Sequence, residues 1–217
     1  VREAFAVLEQ TVAPKIRSLF ETRLPSGEKA TVLYYFLVKI IDCPYCQKEV
    51  ELFKKRIFSS NAVPKKDPTA RALCPSCGMI VHTTHDAVTA SCNACRHEFN
   101  PQDGNAFGAT AHCPSCGGKF KLVDAMRSLR GPLRYRRYAK MVLTVSGAKS
   151  YEPINEFDRQ LDADIARQFN TIVGDLPIVT VQPGYNTNQM LKHNYRHWHE
   201  LFSDRQIVCI RHLTDAI

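Results

Sequence analysis

No apolar run in this 217-residue chain approaches the roughly 20 residues that cross a bilayer as a helix. His-Glu-x-x-His is also missing, although His193 and His197 stand four apart near Trp198 and His199. No nucleophile–base pair and no open metal site can be picked out. No signal-peptide pattern is visible in the residues given, and a secreted disulfide scaffold would normally be shorter. These absences argue against a membrane protein, a zinc protease and a secreted disulfide-stapled domain. A cytoplasmic location is the expectation.

Cysteine, by contrast, is plentiful and ordered. Eight of the nine cysteines form four Cys-x-x-Cys pairs: Cys43/Cys46, Cys74/Cys77, Cys92/Cys95 and Cys113/Cys116. Two thiolates separated by two residues can grip one ion from a single tight turn. Two such turns complete a tetrahedral four-cysteine site, the usual structural coordination of zinc. Eight ligands suffice for two closed sites, so two structural Zn²⁺ ions are expected. Disulfides within each pair would be strained and would tie no distant segments together. A thiol redox switch is the chemical alternative, since zinc thiolates can be oxidised.

The pairing of the turns stays open. Nested pairing joins Cys43/Cys46 with Cys113/Cys116 and Cys74/Cys77 with Cys92/Cys95. Sequential pairing joins first with second and third with fourth. Loop-closure entropy separates the two by only about 0.3 kcal/mol. The short return from Met79 to Ser91 reads as a hairpin bringing the middle turns together, which favours nesting. His82, His85, His97 and His112 could substitute as ligands, but with eight cysteines at hand they read as surface or turn residues.

The formal net charge is +8. Eight bound thiolates would remove eight charges and two Zn²⁺ would return four, leaving a surface nearer +4. Such a balance argues only weakly for nucleic acid; its distribution says more. Residues 127–140 concentrate Arg127, Arg130, Arg134, Arg136, Arg137 and Lys140 with Tyr135 and Tyr138 interleaved. Guanidiniums can neutralise phosphates while tyrosines stack on bases or sugars. The nucleic-acid-binding candidates are therefore Arg130, Arg134, Tyr135, Arg136, Arg137 and Lys140. A solvated linker fits the same composition.

The apolar spacing predicts an α+β chain. Residues 1–24 read as helix, with Pro14 expected to split it in two. Residues 31–41 read as a strand buried on both faces, running straight into Cys43. Short strand-like pieces follow each cysteine turn, a zinc-ribbon pattern. Gly78 and Gly117 ease two of the turns, while Gln47 and Arg96 occupy the equivalent place in the others. A hairpin is expected over 138–152 about Ser146-Gly147, then a helix over 156–172 capped by Asn155. A helix from about Asn188 is expected to carry Leu191, Tyr195, Trp198 and Phe202 on one side. Its Lys192, His193, Arg196 and His197 would make a mildly basic face. Ser203 to Gln206 reads as a capping box opening a last helix, with Ile207, Ile210, Leu213 and Ile217 inward and Cys209 as a small buried hydrophobe. The expected architecture is a small-β, two-zinc ribbon module inserted between helical segments and a β-hairpin. Its parts are helices and buried strand (1–42), double ribbon (43–126), basic linker and hairpin (127–152) and helical region (153–217). Both ends read as cut, which suggests a piece of a longer protein.

Two passages carry a resemblance. One is Phe36-Leu-Val-Lys-Ile-Ile-Asp-Cys-Pro-Tyr-Cys-Gln-Lys-Glu-Val-Glu-Leu-Phe53. The other is Pro183-Gly-Tyr-Asn-Thr-Asn-Gln with the Tyr-Arg-x-Trp-x-x-Leu-Phe-x-x-Arg-Gln run at 195–206. Together with Tyr138-Ala-Lys-Met-Val-Leu143 they resemble the zinc-ribbon-containing adenine-specific DNA methylases of bacteria and archaea, which accompany restriction-modification or phage-defence systems. The resemblance spans roughly residues 30–217. It implies that the zinc region is an insertion within an S-adenosylmethionine-dependent methyltransferase. Short members of that family keep only an outer Cys-x-x-Cys couple, which also implies nesting here.

The departure concerns the chemistry. This chain has no Gly-rich loop after a strand for the methyl donor and no Asp-Pro-Pro-Tyr or Asn-Pro-Pro-Tyr for a flipped base. Asp67-Pro68-Thr69 and Asp175-Leu176-Pro177 do not substitute. The expectation is a DNA-contacting accessory region without catalytic residues of its own. Its partners would be DNA and the remainder of the parent methyltransferase, with defence-system subunits as further candidates. A structural or protein-interaction zinc module is the alternative, and an independent enzyme or RNA-binding ribbon protein ranks last.

Overall fold

The computed structural model describes residues 2–216, apart from the side chains of Arg2 and Ala4. The chain forms two units, one of residues 1–34, 141–150 and 154–217 and the other of residues 35–140 and 151–153.

The first unit is mainly helical. Helix α1 (Arg2–Ser18) runs unbroken through Pro14. The expected split does not occur: proline gives up the hydrogen bond that residue 14 would donate to residue 10, and the helix tolerates that one loss. Strand β1 (Glu21–Arg23) pairs with the start of β2 (Lys29–Asp42). The unit also takes in the far end of β12 (Arg134–Thr144) and the start of β13 (Lys149–Pro153), joined by the expected Ser146-Gly147 turn. There Gly147 has φ +83°, and its N–H donates to Thr144 O at 3.0 Å. Helix α3 (Glu156–Ile172) opens on the expected cap. Asn155 Oδ1 accepts from the Asp158 N–H at 3.1 Å, and Asp158 Oδ2 accepts from the Asn155 N–H at 2.9 Å.

The core of this unit joins Leu19, Ile165 and Val208, with Phe20, Leu161, Phe169 and Cys209 packed around them. The last helix, α5 (Asp204–Thr214), starts at the Ser203/Gln206 capping box. Ile207 is buried, but Ile210 and Leu213 are exposed, so the inward stripe is shorter than its spacing suggests. Ile217 lies outside the described residues. Between α3 and α5 the expected long helix shrinks to α4 (Asn188–Lys192). Asn194 adopts φ +63°, which ends the helix. The following residues run extended, with a bridge between His197 and Thr180, before a short 3₁₀ turn at Trp198–Leu201. Leu191, Tyr195, Trp198 and Phe202 therefore share no helix face.

The regular structure of the second unit is mostly short antiparallel strands. β3 (Glu49–Glu51) pairs with the end of β2. Strands β4 (Ile57–Ser60), β5 (Thr69–Leu73) and β6 (Ile80–Thr84) form a three-stranded sheet. β7 (Ala90–Ser91) pairs with β8 (Glu98–Phe99). Strands β9 (Ala106–Phe107), β10 (Thr110–His112) and β11 (Lys119–Lys121) make another three-stranded sheet, followed by α2 (Leu122–Met126). β2 contributes to both units. It is not buried on both faces as expected: Tyr34 and Leu37 are exposed, and burial alternates along most of its length.

Within this second unit the core is divided. One cluster gathers Ile41, Val50, Ala111, Phe120, Met126 and Leu133 about Cys43 and Cys113. A smaller one gathers Val81 and Ala90 about Cys74 and Cys92. A third joins Val38, Ile40, Phe53 and Leu73 to the rings of Phe58 and Tyr138. Phe36, Phe53, Phe58, Tyr138 and Tyr151 stack edge-on or tilted at 4.9–6.3 Å between ring centres. Burial there pushes the Tyr138 hydroxyl up to about 12.

Candidate metal centres

Each cysteine pair sits at the tip of a β-hairpin. β2 leads into Cys43/Cys46 and β3 leads away. β5 and β6 flank Cys74/Cys77, β7 and β8 flank Cys92/Cys95, and β10 and β11 flank Cys113/Cys116. The four turns share one backbone pattern. The N–H groups of Gln47, Gly78, Arg96 and Gly117 donate to the carbonyls of Cys43, Cys74, Cys92 and Cys113 at 2.7–3.0 Å. All four donors have positive φ, between 58° and 72°. Glycine takes that conformation freely, whereas Gln47 and Arg96 pay for a Cβ in it.

These turns meet in nested fashion. Cys43, Cys46, Cys113 and Cys116 form one cluster, and Cys74, Cys77, Cys92 and Cys95 form the other, with the sulfurs of each within 4.8 Å of one another. Sγ–Sγ separations are 3.7 Å for Cys43–Cys116, 3.6 Å for Cys46–Cys113, 3.6 Å for Cys74–Cys95 and 3.5 Å for Cys77–Cys92. A tetrahedral ion with metal–sulfur bonds of about 2.3 Å needs sulfur–sulfur edges of about 3.8 Å. A disulfide needs about 2.05 Å, and all nine cysteines are free thiols.

Ionisation of the sulfurs points the same way. The N–H groups of Cys95 and Ala94 aim at Cys92 and lower its pKa to about 7 against the cost of burial. Burial opposes charge on Cys113, yet the N–H groups of Cys116 and Ser115 and the thiols of Cys46 and Cys116 bring it to about 6. Cys77 receives an N–H from Met79, and Cys116 one from Gly118. Desolvation and three neighbouring sulfurs nevertheless push each up to about 12. Four sulfurs this close resist carrying four negative charges together. A divalent cation among them removes the conflict, so the donor set fits a thiophilic ion such as zinc.

Family models, curated proteins and solved structures returned no match to this chain.

The histidines stand apart from both clusters. His82 and His97 are exposed, and His85 and His112 are half-buried. Among the described residues no third group of side chains is placed to hold a metal. His197 faces Glu200 at 3.5 Å and stacks on His199 at 5.5 Å. Lys192 ends α4, so the basic helix face expected over 192–197 does not form.

The candidate nucleic-acid residues separate. Arg134 pairs with Asp42 at 3.0 Å and Glu49 at 2.9 Å, while Arg136 pairs with Glu51 at 2.9 Å and with Glu49. Arg137 lies over the Tyr35 ring at 5.2 Å. Lys140 is fully buried, so it offers no surface charge. Arg130 and Tyr135 are exposed, and Lys39 sits over the Tyr135 ring at 5.9 Å. The second half of the 127–140 stretch read as a basic linker is instead strand β12. Its carboxylate partners on β2 and β3 lie more than 80 residues away, beyond the reach of a local charge count.

The 195–206 run, the most specific part of the resemblance, is tied both to itself and to other parts of its unit. Arg205 is buried, reaches Asp162 at 2.6 Å and lies over Phe20 at 5.4 Å. Desolvation opposes charge on Glu200, but the backbone N–H groups of His197 and Arg196 outweigh it and hold its pKa below the usual value. The Trp198 N–H donates to Val179 O at 3.1 Å.

Proposed function

We propose that this chain is a two-zinc accessory region of an S-adenosylmethionine-dependent DNA adenine methyltransferase. On this reading it binds two structural Zn²⁺, contacts DNA, and leaves methyl transfer to residues outside it. The nested pairing of the four cysteine turns carries the reading. It is the arrangement of a closed structural site inserted within another, and it matches what the resemblance implies for an outer couple with material added inside. The zinc ions would act as cross-links, each joining two hairpin tips that also share a hydrophobic cluster.

Native mass spectrometry tests the first part. The folded chain is expected to carry two zinc ions, and a Cys74→Ser/Cys95→Ser variant one. A well-folded chain with no bound metal would sink the proposal. For the second part, DNA affinity is expected to fall steeply with salt, and the isolated chain with S-adenosylmethionine is expected to methylate nothing.

The ion pairs of Arg134 and Arg136 favour a second reading, a structural or protein-docking zinc module of a defence-system protein. Under it, DNA would bind no better than to any protein of similar charge.

A further inference from the structure

Three of the cysteine turns carry a small residue before their second cysteine: Ser76, Ala94 and Ser115. The fourth carries Tyr45. The residue is 65 % exposed. It is nevertheless held. Its hydroxyl donates to Lys119 O at 2.8 Å, at the start of β11 in the opposing hairpin. The ring lies against Gly118, where an added Cβ would come within 2.5 Å of it. Tyr45 is thus a fixed aromatic plate with much of its surface open to solvent.

Beside it lies an open groove of about 570 Å³, lined by Tyr45, Thr110, Lys119, Lys121, Asp124 and Ser128 among others. Lys119 and Lys121 flank buried Phe120 on β11, so alternation places both on the outward side of the strand. Neither has an ion-pair partner among the described residues. The one carboxylate in the groove, Asp124, is paired with Arg127 at 3.0 Å. The free charge is therefore positive, in contrast with the ladder at Arg134 and Arg136.

We propose that this groove binds unpaired bases of single-stranded DNA, with Tyr45 as stacking plate and Lys119 and Lys121 on flanking phosphates. The proposal rests on the DNA-contacting reading above and moves its contact from residues 130–140 to the outer ribbon. The chemistry is that of single-strand binders generally, an aromatic face for any base beside cations for the backbone. An enzyme that works on a base outside the stack leaves unpaired nucleotides to be held.

Fluorescence anisotropy with a fluorescein-labelled twelve-nucleotide oligodeoxythymidine on the zinc-loaded chain tests it. Tyr45→Leu is expected to weaken binding about tenfold. Lys119→Gln/Lys121→Gln is expected to weaken it and to lower the log–log salt slope by about 1.4, from ~0.7 per lost phosphate contact. An Arg134→Gln/Arg136→Gln variant is expected to change little. Each variant must retain two zinc ions, which shows that the fold is intact. If the groove variants bind like the parent, or a blunt duplex binds as tightly as the single strand, the groove assignment is overturned while the DNA-contacting reading stands. If the parent itself binds neither form of DNA, both fall.

Discussion

Gly104, Gly118 and Gly78 are three glycines kept for different physical reasons, and replacing each by alanine separates them. At Gly78 an added Cβ meets nothing within 4 Å, so only the positive φ of +72° resists it. The expected cost is about 1 kcal/mol. At Gly118 the Cβ presses on the Tyr45 ring at 2.5 Å and on Cys116 Sγ at 3.3 Å. The ring must move, so a larger loss is expected, together with displacement of Tyr45. At Gly104 the Cβ would stand 2.0 Å from the Phe53 carbonyl oxygen, and backbone has to shift. The order of destabilisation in urea melts of zinc-loaded protein should be Gly104→Ala, then Gly118→Ala, then Gly78→Ala. A Gly78→Ala variant as damaged as Gly104→Ala would contradict the conformational argument.

Elements in this chain are secured chiefly at their ends. The N-terminus of α3 carries a reciprocal cap, and Asn155 Nδ2 also donates to Arg23 O at 2.7 Å. Asp158, fully buried, accepts from Thr22 Oγ1 at 2.7 Å, which ties the same helix start to β1. Asn155→Ala removes both the cap and the bond to β1. It is expected to cost about 1–2 kcal/mol, read as a lower urea midpoint by helical circular dichroism. The Glu200 cap has a pH signature. Its folded pKa is depressed, so its contribution is complete above the ordinary pKa of 4.5 and is lost as pH falls through the folded value. A Glu200→Gln variant should lose the corresponding part of the acid-side slope of stability. An unchanged slope would show that the cap contributes nothing.

Elements also show where sequence reasoning holds and where it stops. Caps at Asn155 and Ser203 and the Ser146-Gly147 turn are local devices, closed within four residues, and all were legible. Helix α4 was not, because a single left-handed residue, Asn194, stops it while the apolar spacing continues beyond. The failure at Pro14 is the reverse case, a local breaker overridden by the turns on either side. The Tyr45 groove carried one faint signal, a tyrosine where three sister turns hold serine or alanine. Its partners Lys119 and Lys121 lie more than 70 residues further on.

For the whole molecule, the candidate metal sites and the long helices are divided between the units. Cys43, Cys113, Cys74 and Cys92 are themselves parts of the second unit's hydrophobic clusters. The long helices α1, α3 and α5 all lie in the first unit, which holds none of the eight clustered cysteines. A strong chelator under reducing conditions is therefore expected to unfold residues 43–120 while most helical signal at 222 nm persists. Limited proteolysis should then cut within that stretch and spare α3 and α5. Parallel loss of the helical signal would mean that the first unit depends on the metals as well.

What the residues determined by themselves is the ligand set. Two thiols three positions apart can reach one ion from a single turn, because the turn that joins them is local. Which turns share an ion was left to tertiary structure, since loop closure distinguishes the pairings by far less than one packed hairpin contributes. The fate of the arginines was settled there too. A charge count along the chain is blind to carboxylates that reach them only when distant strands come together.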